Sequence, residues 1–128
     1  MIKATVGILT FNSAKYLYKC LSSVKNFNEI LIVDGGSKDE TLKIAKKFKC
    51  KIKQQPKKFK FKNNKIKDFS KLRDHILKLS KNDLVLFLDS DEFLNKSALK
   101  KIDFYSKSQI SKKSIIHFCL EDFLYIKI

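Results

Sequence analysis

Three short apolar stretches, "ATVGILTF" from Ala4 to Phe11, "EILIVD" from Glu29 to Asp34 and "DLVLFL" from Asp83 to Leu88, constrain this chain more than anything else in it. Runs of that length, rich in β-branched residues, suit buried strands, and the intervening segments carry apolar residues at three- and four-residue steps that suit one-sided helices. Ala14, Leu17, Leu21 and Val24 predict the first helix. Ser37 with Glu40 three residues on reads as a capping box opening a second helix through "TLKIAKKF". "CKIKQQ" reads as a third short strand. Phe69, Leu72, Ile76 and Leu79 share a face of a helix opened by Asp68 or Ser70, a further helix is expected over about 97–105, and "SIIHFCL" reads as a last strand. Strands alternating with helices at this spacing predict an α/β fold, a mostly parallel sheet flanked by helices, in one domain over 1–128.

In open sheets of this kind ligands collect beyond the carboxyl ends of the strands. Asn12, Asp34 and the pair Asp89/Asp91 each follow a predicted strand, so they are expected along one edge. The segment "NDLVLFLDSDEF" ends in three carboxylates, Asp89, Asp91 and Glu92. Such groups repel one another unless water or a cation screens them. A hard divalent ion such as Mg²⁺ or Mn²⁺ favours this oxygen chemistry and binds through one or two carboxylates plus substrate phosphates. The alternative is a solvated turn or helix cap.

Lys and Arg number 28 against 13 acidic residues, a formal charge of +15, which favours phosphate, nucleic acid or an anionic membrane surface as partner. Lys57, Lys58, Lys60, Lys62, Lys65 and Lys67, with Phe59 and Phe61 between them, form a basic loop expected to be mobile and to face an anionic ligand. A basic nucleic-acid- or anion-binding module would use the same loop for phosphates and stacking. It lacks a recognisable binding motif, and a strand-end acid cluster would repel nucleic acid. Cys20, Cys50 and Cys119 are scattered without CxxC spacing, which argues against a disulfide framework or a zinc site and for a reducing, cytoplasmic setting. His75 and His117 are isolated, and Gly35-Gly36 is a turn rather than a dinucleotide fingerprint.

The segments "VGILTFNSAKYLYKCLSSV", "EILIVDGGSKDET" and "SKLRDHILKLSKNDLVLFLDSDE" follow one another in an order and spacing that resemble the nucleotide-sugar half of family 2 glycosyltransferases, over about residues 3 to 105. The similarity is nearest to the lipopolysaccharide-core β-glycosyltransferase type. The resemblance implies a Rossmann-like GT-A half that binds a nucleoside-diphosphate sugar, with UDP favoured, through Mg²⁺ or Mn²⁺. By that resemblance Asp91 is the main metal ligand and Asp89 turns toward the ribose or the metal. Thr10 and Asn12 match the strand-one nucleotide loop, Asp34 matches the acid after strand two, and Arg73 is placed to reach phosphate. The resemblance further implies a glycan or lipid-linked acceptor; the lysine excess favours peripheral contact with an anionic membrane at its cytoplasmic face, and the acid cluster argues against nucleic acid.

The chemistry needs stabilisation of the charge developing on the leaving diphosphate and a base for the acceptor hydroxyl. The strand-end residues suit the first requirement. No residue is assigned to the second: Glu121-Asp122 resembles the family's acidic pair but lies too near the D-x-D and inside an apparent strand, so a structural role is expected, and the chain reads as the donor-binding part of a longer enzyme or as a minimal or degenerate relative. Many members carry a second acid where this chain has Gly35. A haloacid-dehalogenase-type phosphatase also places D-x-D after a strand, but Phe93 stands where that family has Thr or Val.

Overall fold

The computed structural model describes residues 1–59, 69–108, 115–117 and 125–127. In chain order the elements are β1 (Ile2–Thr10), α1 (Ala14–Ser23), β2 (Phe27–Asp34), α2 (Thr41–Lys47), β3 (Lys51–Gln54), a 3-10 turn (Lys57–Phe59), α3 (Phe69–Leu79), β4 (Val85–Asp89), α4 (Lys96–Lys107), β5 (Ile115–His117) and β6 (Tyr125–Lys127). They build one sheet in the order β3-β2-β1-β4-β6-β5. The first four strands run parallel, and β6 joins β4 antiparallel with β5 antiparallel beyond it. The sheet is α/β and mostly parallel, as the alternation of strand and helix signals requires. β5 lies within the expected last strand "SIIHFCL", and β6 is a further strand beyond it.

Strand side chains alternate between two apolar layers. Ile2, Ala4, Val6 and Ile8 of β1, with Ile30 and Ile32 of β2 and Leu86 and Leu88 of β4, pack against Leu17, Cys20 and Leu21 of α1, Ala45 of α2, and Ala98 and Ile102 of α4. Leu31, Val33 and Val85 face the other way, onto Leu72 and Ile76 of α3. The helix sits very close to the sheet at Gly7, where an added Cβ would lie 2.6 Å from Ile76 Cγ2. A glycine in mid-strand is what lets α3 approach.

At the amino edge of the sheet a buried polar network replaces apolar packing. Thr5 Oγ1 donates to Glu29 Oε1 at 2.7 Å, Lys81 N–H donates to the same oxygen at 2.9 Å, and Asn82 Nδ2 donates to Thr5 Oγ1 at 3.0 Å. Buried polar groups so paired fix the register of β1, β2 and the entry to β4 without an unsatisfied donor.

Two local expectations are corrected. α2 starts at Thr41 rather than just after Ser37, and Glu40 at its N-cap makes no side-chain capping bond. Asp39 does the capping work instead, accepting Thr41 N–H at 2.9 Å, because the Ser37 hydroxyl is engaged by Asp34. Phe69, expected on the core face of α3, is 56% exposed at the helix start. Among the described residues no helix is long and apolar enough to cross a membrane. Most of the basic loop, together with Glu121-Asp122 and Cys119, lies outside the described residues.

Candidate active site

Parallel strands end at the same edge, and the four carboxyl ends carry polar residues. Thr10 of β1 is in register with Asp34 of β2, Asp34 with Gln54 of β3, and Leu9 with Asp89 of β4. The chain leaves β1 through Asn12, whose φ of 47° lies in the left-handed region that asparagine tolerates better than most residues. Its N–H donates to Ser37 Oγ at 2.8 Å, and its Oδ1 accepts Lys38 N–H at 2.9 Å. Ser13 N–H donates to Thr41 Oγ1 at 2.8 Å and Ala14 N–H to Asp39 Oδ2 at 3.2 Å. The loop after β1 is therefore stitched along its length to the loop after β2.

Asp34 is the centre of that stitching and is fully buried. Its Oδ1 accepts the hydroxyls of Thr10 and Ser37, each at 2.6 Å, and its Oδ2 accepts Gly36 N–H at 3.0 Å and Ser37 N–H at 2.8 Å. Burial opposes its ionisation, but the hydrogen bonds outweigh burial and hold its carboxyl below the usual range. With both oxygens engaged from within the protein, Asp34 and its partner Thr10 shape the floor of the site.

The end of β4 is organised differently. Glu92 curls back so that its carboxylate accepts Asp89 N–H at 2.9 Å, while Glu92 N–H donates to Asp89 O at 3.0 Å. Desolvation, aided by the nearby charges of Asp89 and Asp91, pushes the Glu92 carboxyl upward against the stabilising pull of that backbone donor. Ser90 Oγ donates to Ser13 Oγ at 3.1 Å and ties this turn to the first loop. The side chains of Asp89 and Asp91 are exposed and border the same cavity.

That cavity, about 850 Å³, is bordered by Thr10, Asn12, Arg73, Asp89 and Asp91, so the edge brings most of the residues singled out in the sequence to one place. Arg73, on α3, reaches it with its guanidinium 5.9 Å from the centre of the Phe87 ring. Asp34 lies beneath rather than on the wall. Sequence reasoning missed Ser13, Asp39 and Gln55, whose partners are distant in sequence. It assigned Ser37 to a helix cap, although its position three residues after Asp34 fits a turn that closes on the aspartate.

Among the described residues no three His, Cys, Asp or Glu side chains gather to cage a metal. Glu92 also borders the cavity but spends one oxygen on Asp89 N–H, while Asp89 and Asp91 are the two exposed carboxylates. Two carboxylates on an open cavity fit an ion that shares its remaining oxygens with a phosphate ligand rather than one held by protein alone.

Relatives of known kind share this sequence and fold. The chain is 37% identical over 100 residues to the SPbeta prophage-derived glycosyltransferase SunS of Bacillus subtilis strain 168, covering 77% of this chain and 22% of SunS. It is 33% identical over 113 residues to the poly(ribitol-phosphate) beta-N-acetylglucosaminyltransferase TarS of Staphylococcus aureus strain Mu50, covering 78% of this chain and 18% of TarS. The crystal structure of S. aureus TarS 1–349 in complex with UDP superposes with a TM-score of 0.62 at 29% identity, over 81% of this chain and 32% of that one. The mannosyltransferase PcManGT of Pyrobaculum calidifontis, solved with GDP-Man and Mn²⁺, shares the fold with a TM-score of 0.64 at 13% identity, over 89% of this chain and 34% of its own. The chain spans about a fifth of the length of SunS and TarS. The family model for glycosyl transferase family 2 matches residues 5–103, the span from β1 to α4 that builds the strand-end cavity. By that match and these relatives, the chain belongs to glycosyl transferase family 2.

Proposed function

We propose that this chain binds a nucleoside-diphosphate sugar, with UDP as the nucleotide, across the strand-end cavity, and serves transfer of the sugar to an acceptor hydroxyl. The observation that carries the reading is the convergence of two open carboxylates, Asp89 and Asp91, with Arg73 and the Asn12 loop around one cavity. UDP is favoured because the S. aureus TarS structure that covers 81% of this chain at 29% identity was solved in complex with UDP.

In this reading Asp91 is the main ligand of a Mg²⁺ or Mn²⁺ ion and Asp89 supports it or turns to the ribose. When bound, such an ion would offset negative charge on the leaving diphosphate. Arg73 adds a fixed fork of donors for phosphate oxygens. Glu92 holds the turn by its bond to Asp89 N–H, and Thr10 and Asp34 keep the floor in shape. Asn12 presents the first loop to the ligand. The acceptor is proposed to be a glycan or lipid-linked hydroxyl compound met at the cytoplasmic face of an anionic membrane, consistent with the chain's lysine excess.

Thermal shift tests the donor site. Mn²⁺ with UDP is expected to raise Tm more than either alone, because the diphosphate completes the metal's oxygen shell, and Asp91→Ala is expected to abolish the synergy. Equal synergy in both proteins would remove Asp91 from the metal site.

A further inference from the structure

α1 and α2 lie side by side on one face of the sheet, where the Tyr18 ring meets the Phe48 ring edge-on with 5.3 Å between their centres. α1 carries Lys15 and Lys19, and α2 with the two residues after it carries Lys43, Lys46, Lys47 and Lys49, all of them exposed. Neither stretch, 14–23 or 41–49, contains a carboxylate. The other helices mix their signs: α3 has Asp74 among its cations, and in α4 Lys107 Nζ donates to Asp103 Oδ2 at 3.0 Å. Of the two acids that precede α2, Asp39 accepts the N–H groups of Thr41 and Ala14, and Glu40 meets Lys43 at 3.5 Å.

Folding does not ask for this arrangement. Like charges gathered on one face repel, and Lys15 and Lys43 stand in the first turns of their helices, where the backbone dipole disfavours a cation. Tyr18 is 61% exposed, with Lys15 and Lys19 on its own helix and Lys47 and Lys49 flanking the Phe48 that it touches. An aromatic ring with a polar tip, set among flexible ammonium groups, is the composition that settles at a lipid–water interface. Lysines are point charges that answer a diffuse negative potential. The chain's one arginine, Arg73, whose fork suits a single phosphate, lies on α3 across the sheet. Two adjacent helices make a broad face rather than a channel, which suits a surface better than a thread-like polyanion.

We infer that the face formed by α1 and α2 docks on an anionic lipid surface, with Tyr18 at the level of the headgroups and the six lysines around it. The inference rests on the membrane contact proposed above and deepens it by assigning that contact a surface, while standing apart from donor binding. Lys15 and Tyr16 of α1 also border the strand-end cavity. Docking through this face therefore brings the mouth of the cavity to the rim of the contact, at the height where a lipid-linked hydroxyl is presented.

Sedimentation of the full chain with phosphatidylcholine vesicles, with and without phosphatidylglycerol and free of metal and nucleotide, tests it. Binding is expected with the phosphatidylglycerol vesicles only, and is expected to weaken as salt is added. Lys46→Gln with Lys47→Gln should lower vesicle affinity about twentyfold. The same neutralisation at exposed positions of α3 and the loop after it, Lys78→Gln with Lys81→Gln, should change affinity less than about threefold. The chain contains no tryptophan, so Tyr18→Trp places one fluorescent reporter on the face and keeps an aromatic ring there. Its emission is expected to move to the blue on phosphatidylglycerol vesicles. Absence of vesicle binding, equal losses from the two lysine pairs, or an emission unmoved on bound vesicles would overturn the inference. Soluble polyphosphate that binds through Lys46 and Lys47 more tightly than the vesicles, without the blue shift, would overturn it too and give the face to a linear polyanion. None of these failures touches donor binding, which the thermal shift with UDP and Mn²⁺ reads separately.

Discussion

The Thr10 hydroxyl donates to Asp34 Oδ1 at 2.6 Å, joining the last residue of β1 to the last residue of β2 beneath the cavity. Three further donors converge on the same carboxylate, from Gly36 N–H, Ser37 N–H and the Ser37 hydroxyl. The two loops that frame the site depend on one buried negative charge.

Asp34→Ala is accordingly expected to destabilise the fold by about 3 kcal/mol, since it leaves the buried Thr10 hydroxyl and three part-buried donors from Gly36 and Ser37 without an acceptor. Chemical denaturation near neutral pH checks this. The folded carboxyl titrates below its ordinary 3.8, so the stability it supplies is complete above that value and is lost as pH falls through the depressed folded value. The gap between wild type and Asp34→Asn should therefore be widest near neutral pH and narrow in acid. A gap that widened with acidification would contradict the charge-stabilised geometry.

Gly7→Ala should destabilise by about 1–3 kcal/mol, through overpacking against α3. The added methyl would lie 2.6 Å from Ile76 Cγ2, a clash that neither neighbour can relieve freely within the layer. Ile76→Leu removes that branch methyl, so the double variant is expected to recover part of the loss. A double-mutant cycle with no coupling would show that the contact is not what excludes alanine.

Arg73→Ala is expected to weaken UDP binding about tenfold, and Arg73→Lys to fall between, because a lysine keeps the charge but not the fork. The side chain is exposed, so the ligand-free Tm should hardly move. Affinity measured across a range of salt concentrations should fall less steeply for Arg73→Ala than for wild type.

Asn95 caps α4 by accepting Ala98 N–H at 2.8 Å. Asn95→Ala should reduce stability by about 1 kcal/mol. Ligand affinity should be unchanged, since the residue does not border the strand-end cavity.

The sheet was legible because its strands are short, apolar and bounded by polar residues, and because Ile8, Ile32 and Leu86 have to be buried whatever else the chain does. The common edge followed from parallel pairing alone, which is why Asn12, Asp34 and Asp89 could be placed together in advance. What could not be read was which of these groups are open and which are consumed. Asp34 and Asp89 look alike in sequence, yet one is closed by Thr10, Gly36 and Ser37 and the other faces the cavity. That distinction depends on donors brought in from separate loops. The start of α2 was misplaced for a related reason: Ser37 had two possible partners, the helix behind it and the aspartate before it, and the buried charge won. β5 and β6 are three residues each, too short for alternation to separate them from one strand and its surroundings.

The bonds that stitch Asn12, Ser13 and Ala14 to Ser37, Lys38, Asp39 and Thr41 also bear on how a ligand is received. Backbone already fixed has little conformational entropy left to lose, so this jaw of the cavity is preorganised and adds little ordering penalty on association. The opposing jaw, carrying Asp89 and Asp91, is tied back by the Glu92 carboxylate and N–H, by the Cys20 thiol on Asp89 O and by the Ser90–Ser13 hydroxyl pair. A ligand would meet two walls set before it arrives, so little of its binding is lost to ordering the site.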